Sequence, residues 1–270
     1  MTPYVLIWGG GDLATGAAMR LHHAGIRLLI VETAQPLAVR RSVAFGQAVY
    51  DGKIQIEKIK GILIKSPDEM REIWSESSIP VIIDPELTII RTHPPLVLVD
   101  ARLKKKDIPS RMMDADLVIG LGPGFIAGDN CHAAIETNRG HFLGRVFWEG
   151  STEADTGVPG VVQAYARERV LFAPDDGIVE SLALIGDRVR KGDPILSVNG
   201  KVVLSPFDGI LRGLIHEGIH VHKGMKVGDV DPRLEEFRCW TVSEKSLAIG
   251  GGVLEAILTT ESIRSKLWLD

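Results

Sequence analysis

The feature that most constrains this chain is an apolar run that ends in three consecutive glycines. Tyr4-Val5-Leu6-Ile7-Trp8 is continuous rather than alternating, the pattern of a parallel strand covered on both faces. Gly9-Gly10-Gly11-Asp12-Leu13-Ala14 follows at once. Leu13, Ala17, Leu21 and Ala24 then recur at three- and four-residue steps, marking one face of a helix that Gly25 ends. A second apolar run, Arg27 to Val31, closes with Glu32. This is a strand–turn–helix–strand unit of about thirty residues, the arrangement in which a glycine turn holds a dinucleotide.

A pyrophosphate needs free backbone N–H groups and the positive end of a helix. Glycine at the first position permits the tight turn, glycine at the third lets backbone approach phosphate, and a small sixth residue lets helix and strand pack. Gly9, Gly11 and Ala14 take these roles, with Gly10, Asp12, Leu13 and Thr15 completing the expected binding turn. Glu32 stands where an acidic side chain typically accepts ribose hydroxyls. Arg40 and Arg41, in an expected helix from Leu37 to Tyr50, are candidates for neutralising a further anionic group or for a solvated face.

Strand signals alternate with helical stretches through the first half: Gly61–Ile64, a helix from Pro67 to Ser77 opening at Ser66, Val81–Asp84, Leu96–Asp100 and Leu117–Gly120. That alternation favours a parallel α/β sheet, whose ligands lie beyond the carboxyl ends of the strands. Asp100 and the turn Gly122-Pro123-Gly124-Phe125 are therefore expected at the same cleft, with Gly122 and Gly124 as binding residues. His141 and Arg145 are weaker candidates for charge in that cleft. Cys131 and His132 are neighbours whose side chains point apart on a regular element, so a nucleophile–base pair is not expected there.

The second half repeats itself. Pro174-Asp175-Asp176-Gly177-Ile178 matches Pro206-Phe207-Asp208-Gly209-Ile210, and Gly186 to Gly192 matches Gly218 to Gly224, at a constant offset of 32 residues. Each copy reads as short strands between glycine and proline turns, too small to bury a core alone. The pattern resembles biotinyl/lipoyl carrier domains. Lys201, beside the Asn199-Gly200 turn, lacks the carriers' flanking residues, and neither biotin nor lipoate is expected. His216, His220 and His222 align with Leu184, Arg188 and Arg190 of the first copy, which argues for a solvent-facing row rather than a metal site. Farther on, Gly250-Gly251-Gly252 precedes a helical stretch from Val253 to Ile257 and is suited to close packing or ligand contact.

The expected fold class is α/β: an N-terminal Rossmann-like parallel sheet domain over 1–165 and a C-terminal all-β barrel-sandwich hybrid of biotinyl/lipoyl type over 166–232. A last segment, 233–270, is expected to pack back on the first domain. A net charge of −4 and no basic stripe beyond Lys104-Lys105-Lys106 give no reason to expect nucleic acid. No apolar stretch approaches the roughly 18 residues of a membrane span, and Tyr4–Trp8 is too short for a signal-peptide core. With only Cys131 and Cys239, far apart, reduced thiols in a cytoplasm are the expectation.

Several further stretches fit one family in order. Gly9 to Gly16, Pro36-Leu37-Ala38-Val39-Arg40-Arg41, Gly122 to Phe125, Glu136-Thr137-Asn138-Arg139-Gly140-His141, Thr156-Gly157-Val158-Pro159-Gly160, Gly228-Asp229-Val230-Asp231-Pro232 and Ala248-Ile249-Gly250-Gly251-Gly252 together resemble the YqeB-type proteins of the selenium-dependent molybdenum hydroxylase system. The resemblance implies an accessory or maturation factor for molybdenum hydroxylases, binding a nucleotide or molybdopterin cytosine dinucleotide in its cleft. Nothing in composition or spacing independently indicates molybdenum or selenium. The alternative is an NAD(P)-dependent oxidoreductase, for which no Tyr-x-x-x-Lys pair supplies a proton donor. Expected partners are a small-molecule dinucleotide and, by the resemblance, a molybdenum hydroxylase; self-association into a homo-oligomer is left open.

Overall fold

A computed structural model of the chain describes residues 2–104, 110–154 and 168–268. The motif Thr156–Gly160, the expected boundary near residue 165, and Lys105 and Lys106 lie outside the described residues. The chain divides into two compact units. Unit 1 comprises Met1–Pro36, Ala44–Thr156 and Val242–Asp270, and unit 2 comprises Leu37–Val43 and Gly157–Thr241.

Unit 1 is built on one nine-stranded sheet. Its strands are β1 (Val5–Trp8), β2 (Leu28–Glu32), β3 (Lys53–Ile56), β4 (Ile59–Ile64), β5 (Ile79–Ile83), β6 (Val97–Asp100), β7 (Leu117–Leu121), β9 (Ala133–Ile135) and β10 (Val146–Phe147), while β8 (Ile126–Ala127) pairs separately with β11 (Gly150–Ser151). The sheet order is β10-β9-β7-β6-β1-β2-β5-β4-β3. The pairs from β9 across to β4 are parallel, and the two outer pairs, β9–β10 and β3–β4, are antiparallel. The central strands are apolar without alternation because both faces are covered: β1, β6 and β7 are buried along their whole length. β1 leads to β2 on one side and has β6 on the other, so the strand order reverses at β1.

Helix α1 (Asp12–His23) and helix α4 (Glu244–Thr259) pack together within this unit through small residues. A Cβ on Gly16 would stand 2.2 Å from the Ser246 carbonyl oxygen, one on Gly250 would stand 2.4 Å from the Gly16 carbonyl oxygen, and one on Gly252 would stand 2.2 Å from that of Gly144. The glycine triplet therefore sits inside α4, which begins well before Val253, and two of its three glycines are required for backbone approach. Short helices α2 (Ala48–Asp51) and α3 (Met70–Ser75) flank the sheet, and α5 (Glu261–Arg264) follows α4. The helix expected over Leu37–Tyr50 does not form: the segment holds two 3-10 turns, Arg41–Val43 and Phe45–Gln47, before α2. Its periodicity is lost because Leu37–Val43 belongs to unit 2 while Ala44 onward belongs to unit 1.

Unit 2 contains β12 (Val170–Phe172), β13 (Gly177–Ser181), β14 (Arg188–Val189), β15 (Pro194–Val198), β16 (Lys201–Leu204), β17 (Gly209–Leu214), β18 (His220–Val221) and β19 (Lys226–Asp231). They form two four-stranded antiparallel sheets, β12-β19-β17-β14 and β16-β15-β13-β18. The two repeat copies exchange contacts: Asp176 accepts the Lys223 amide at 2.7 Å, and Asp208 accepts the Lys191 amide at 2.8 Å.

These arrangements correct the expected fold class. The large sheet is mixed, not an all-parallel Rossmann-like sheet, since its outer strands run antiparallel. A self-contained biotinyl/lipoyl-like barrel-sandwich hybrid over 166–232 is also overturned. The unit holding those strands consists of two separate sheets, includes Leu37–Val43 and runs to Thr241. The repeat dictates short strands and turns, but closure depends on contacts from outside it, such as the Leu214 amide donating to the Val39 carbonyl at 2.8 Å.

The paired glycines of α4 give a test with opposite signs. Gly250→Ala is expected to destabilise by about 1–3 kcal/mol through overpacking. Gly251, with no atom within 4 Å of a built Cβ, should gain about 0.5–1 kcal/mol as Ala, because a helix-interior glycine gives up that much. Urea unfolding midpoints of the two variants report both; a loss in both would show that the contact on Gly16 is not what α4 depends on.

Candidate functional site

The glycine turn joins β1 to α1 at the point where the sheet order reverses, beyond the carboxyl ends of β1 and β6. Its three glycines do different work. Gly9 has φ +101° and donates its amide to the Val31 carbonyl at 2.8 Å. A Cβ there would lie 3.3 Å from the backbone of Ala101 and Arg102. Gly10 donates its amide to Glu32 Oε2 at 2.7 Å and accepts the Gly46 amide at 2.8 Å; a Cβ on it would come within 2.7 Å of the Gly46 nitrogen. Gly11 is unlike either. It is the N-cap of α1 with φ −70° and ψ −175°, makes no side-chain cap bond, and has no atom within 4 Å of a built Cβ.

The remaining turn residues brace this geometry. Thr15, wholly buried, donates its hydroxyl to the Gly11 carbonyl at 2.9 Å and accepts the Phe45 amide at 3.0 Å. Asp12 accepts the Ser246 hydroxyl at 3.2 Å, tying the start of α1 to α4. Ala14 is buried and Leu13 half-buried. Glu32 spends one oxygen on Gly10 and the other on the Thr33 amide at 2.7 Å. Both carboxylate oxygens therefore hold backbone. Arg40 lies in unit 2, where its guanidinium donates to the carbonyls of Arg238 at 3.2 Å and Thr241 at 3.4 Å.

At the end of β6, buried Asp100 accepts two bonds from the Arg102 guanidinium, at 3.0 and 2.5 Å, and one from Ser110 at 3.0 Å. The same guanidinium lies 3.2 Å over the centre of the Trp8 ring. The sequence singled out Asp100 but not Arg102 or Ser110. An Arg two residues beyond a strand-ending Asp was the available signal for the first; nothing marked the second.

Gly122 and Gly124 both have positive φ. A Cβ on Gly122 would meet Thr137 Oγ1 at 2.5 Å, and the Gly124 carbonyl accepts from Asn130 at 3.0 Å. Phe125 folds back so closely that a Cβ on Gly120 would stand 2.0 Å from its ring. These glycines build a tight turn. Nearby Glu136, fully buried, accepts the amides of Asn138 at 2.6 Å and Glu153 at 2.7 Å, a fastening that its place in a polar stretch did not reveal.

Cys131 lies in the core beside Phe125 and Ala134, and burial pushes its thiol up to about 12. His132 turns elsewhere: its Nδ1 accepts the Val118 amide at 2.9 Å, and burial lowers its pKa. The two make no dyad. His141 and Arg145 line an open polar cavity of about 410 Å³ with Glu255. His220 and His222 stack edge to face at 5.4 Å, and among the described residues no group of three His, Cys, Asp or Glu side chains could hold a metal ion. No helix among them is long and apolar enough to cross a membrane.

No protein-family model matches the chain. It is 43% identical over 254 residues, 94% of its length, to the uncharacterized protein YqeB of Escherichia coli strain K12. The chain spans about half the length of that relative, 47%. Among solved structures, an aspartoacylase family protein of Mesorhizobium loti aligns over 87% of this chain and 86% of its own at 13% identity and a TM-score of 0.27. The ectoine utilization protein EutE (DoeB) of Ruegeria pomeroyi aligns over 85% and 86% at 11% identity and 0.25. Neither superposition is close enough to define a shared fold.

Two outcomes follow, one for the buried thiols of Cys131 and Cys239 and one for His132. Both thiols should resist Ellman's reagent in the folded protein near pH 8 and react on denaturation, since burial holds Cys131 and Cys239 as neutral thiols. For His132 the folded pKa lies below 6.5. The stability it contributes is thus complete above that value and is lost as pH falls through the folded pKa. Protonation at Nδ1 would remove the acceptor for the Val118 amide. His132→Gln should therefore narrow the gap between urea midpoints measured at about pH 7.5 and about pH 5; an unchanged gap would assign the acid limb to other groups.

Proposed function

We propose that this chain is a nucleotide-binding accessory factor in the maturation of molybdenum hydroxylases, holding the pyrophosphate of a nucleotide or of molybdopterin cytosine dinucleotide at Gly11 and the first turn of α1. The observation that carries the reading is Gly11 itself. The fold requires glycine at Gly9 and Gly10, by conformation at one and by backbone contact at the other, but asks nothing of Gly11, whose dihedral angles suit any residue. Ser, Thr, Asp or Asn at an N-cap satisfies the helix's first amides with its own side chain, which glycine, also favoured there, does not. Glycine leaves those amides to an external acceptor, and the helix dipole favours an anionic one. A pterin dinucleotide and a simple nucleotide both offer that acceptor as a pyrophosphate or phosphate chain.

Several features support the placement. The turn is held from behind by Glu32 and Gly46, so its shape does not depend on the ligand. It lies at the reversal of strand order, where parallel sheets leave a crevice. The pathway rests on the family resemblance drawn from the sequence. Glu32 stands where an NAD-binding protein would read ribose, which favours an NAD(P)-dependent oxidoreductase as the second reading. Against it, both Glu32 oxygens already accept backbone amides.

Thermal-shift titrations with CTP, NAD(H), NADP(H) and molybdopterin cytosine dinucleotide separate the two readings. A response to the cytosine nucleotides is expected, and a response to NADH alone would replace the accessory-factor reading by the oxidoreductase. Gly11→Asp supplies the missing cap and should leave the ligand-free protein unchanged or stabilised by a few tenths of a kcal/mol, while abolishing the nucleotide response. Undiminished binding in that variant would remove Gly11 from the site.

A further inference from the structure

Unit 2 buries a group of charges that the proposed function does not use. Asp229 and Asp231 stand two apart on β19, hence on one face, and their side chains are 1% and 3% exposed. Each carboxylate is already claimed. Arg169 reaches Asp229 at 3.2 Å through both Nε and Nη2. Arg233 holds Asp231 by two guanidinium bonds, at 2.8 and 2.6 Å, and by its own amide at 3.0 Å.

Arg212 enters the same group from β17. Its side chain is nine-tenths buried, yet its Nη1 is 3.7 Å from both Asp229 Oδ2 and Asp231 Oδ2, outside hydrogen-bonding distance. Its Nε reaches only the Arg238 carbonyl, at 3.5 Å, and that carbonyl also accepts from Arg40 at 3.2 Å. The β17–β19 ladder slips between Leu211 and Gly213, so Arg212 is the extra residue of a bulge. Bulges of this kind re-aim a side chain and are enriched beside binding sites. Among the described residues the group brings three guanidinium ions to two carboxylates, with Arg40 close by. Burial and that neighbour bring Arg212 down to about 10. A buried cation is tolerated where an anion of good geometry meets it.

We propose that Arg212 anchors a binding site for a small phosphate-class oxyanion in unit 2. The planar fork of a guanidinium matches two oxygens of such an ion, and the ion pairs to Asp229 and Asp231, at 3.7 Å, hold Arg212 in place without taking up the hydrogen bonds of its fork. Free phosphate and a phosphomonoester share this chemistry. The inference is independent of the nucleotide reading, because every group in it belongs to unit 2.

The test is a thermal-shift and calorimetric titration of the full chain with inorganic phosphate against chloride at matched ionic strength, with a parallel arm using ribose 5-phosphate. Saturable stabilisation by phosphate is expected, and tighter binding of the ester would mark the phosphomonoester as the natural form. Arg212→Gln should weaken phosphate binding by about tenfold to a hundredfold, the worth of a bidentate charge-assisted pair. Arg212→Lys, which retains the charge without the fork, should weaken it less and serves where the glutamine variant does not fold. Gly11→Asp should leave the phosphate response in place. A wild-type protein that answers phosphate no more than chloride, Arg212 variants that bind as wild type, or a response abolished by Gly11→Asp would each overturn the assignment.

Discussion

The bond from the Gly10 amide to Glu32 is the constraint on which the first unit's architecture turns. It joins the end of β1 to the end of β2 through a carboxylate, at the position where the chain must reverse into α1. A charged acceptor makes this bond stronger than a neutral one. The Gly46 amide closes on the Gly10 carbonyl, and Thr15 bridges the Gly11 carbonyl to the Phe45 amide. The end of β2 and the Phe45–Gly46 segment are thus both tied to the turn between β1 and α1. A turn organised in this way loses little freedom on binding, which is the condition under which exposed amides contribute most to affinity.

The same turn depends on residues more than two hundred positions away. α1 can bring its first residues to the strand ends because Gly16 lets α4 approach its backbone, and Gly250 returns the allowance. Asp12 bonds to Ser246 along the same contact. Side chains of ordinary size would separate the two helices and shift the start of α1, so the glycines of α4 bear on the turn without touching it. Close backbone packing also explains why a glycine-rich stretch is stable here as helix, against its intrinsic preference.

Much of this was legible in the sequence, and the limits are physical. Continuous apolar runs located β1, β2, β6 and β7 because burial on both faces leaves no alternation to misread. The helix after the glycines declared itself through Leu13, Ala17 and Leu21. Leu37–Tyr50 misled because its apolar residues serve two different units, and a helical period assumes one face. The antiparallel edges of the large sheet escaped because β3 and β10 are short and partly exposed, and strand direction leaves no mark on composition. The repeat fixed turns and strand lengths in unit 2, but not the contacts from Val39 that help close it. At the site, the identity of the turn was legible, while the pairings of Glu32, Arg102 and Glu136 were not, since a carboxylate that holds backbone reads the same in sequence as one that awaits a ligand.

That ambiguity shows which residues merit functional weight. Glu32, Glu136 and Asp84 all fasten main-chain amides: Gly10 and Thr33, Asn138 and Glu153, and Ile89 respectively. Asp100 and Asp231 are committed to guanidinium groups two residues on. The protein spends its acids on holding loops at strand ends, so an acidic residue near the crevice is not by its position a reader of ligand. Two other positions are not explained by such fastening. Gly11 is a glycine that no neighbour and no dihedral angle demands, and Arg212 is a buried cation whose nearest carboxylates are drawn to other partners. These are the two positions on which the proposed nucleotide and oxyanion sites rest.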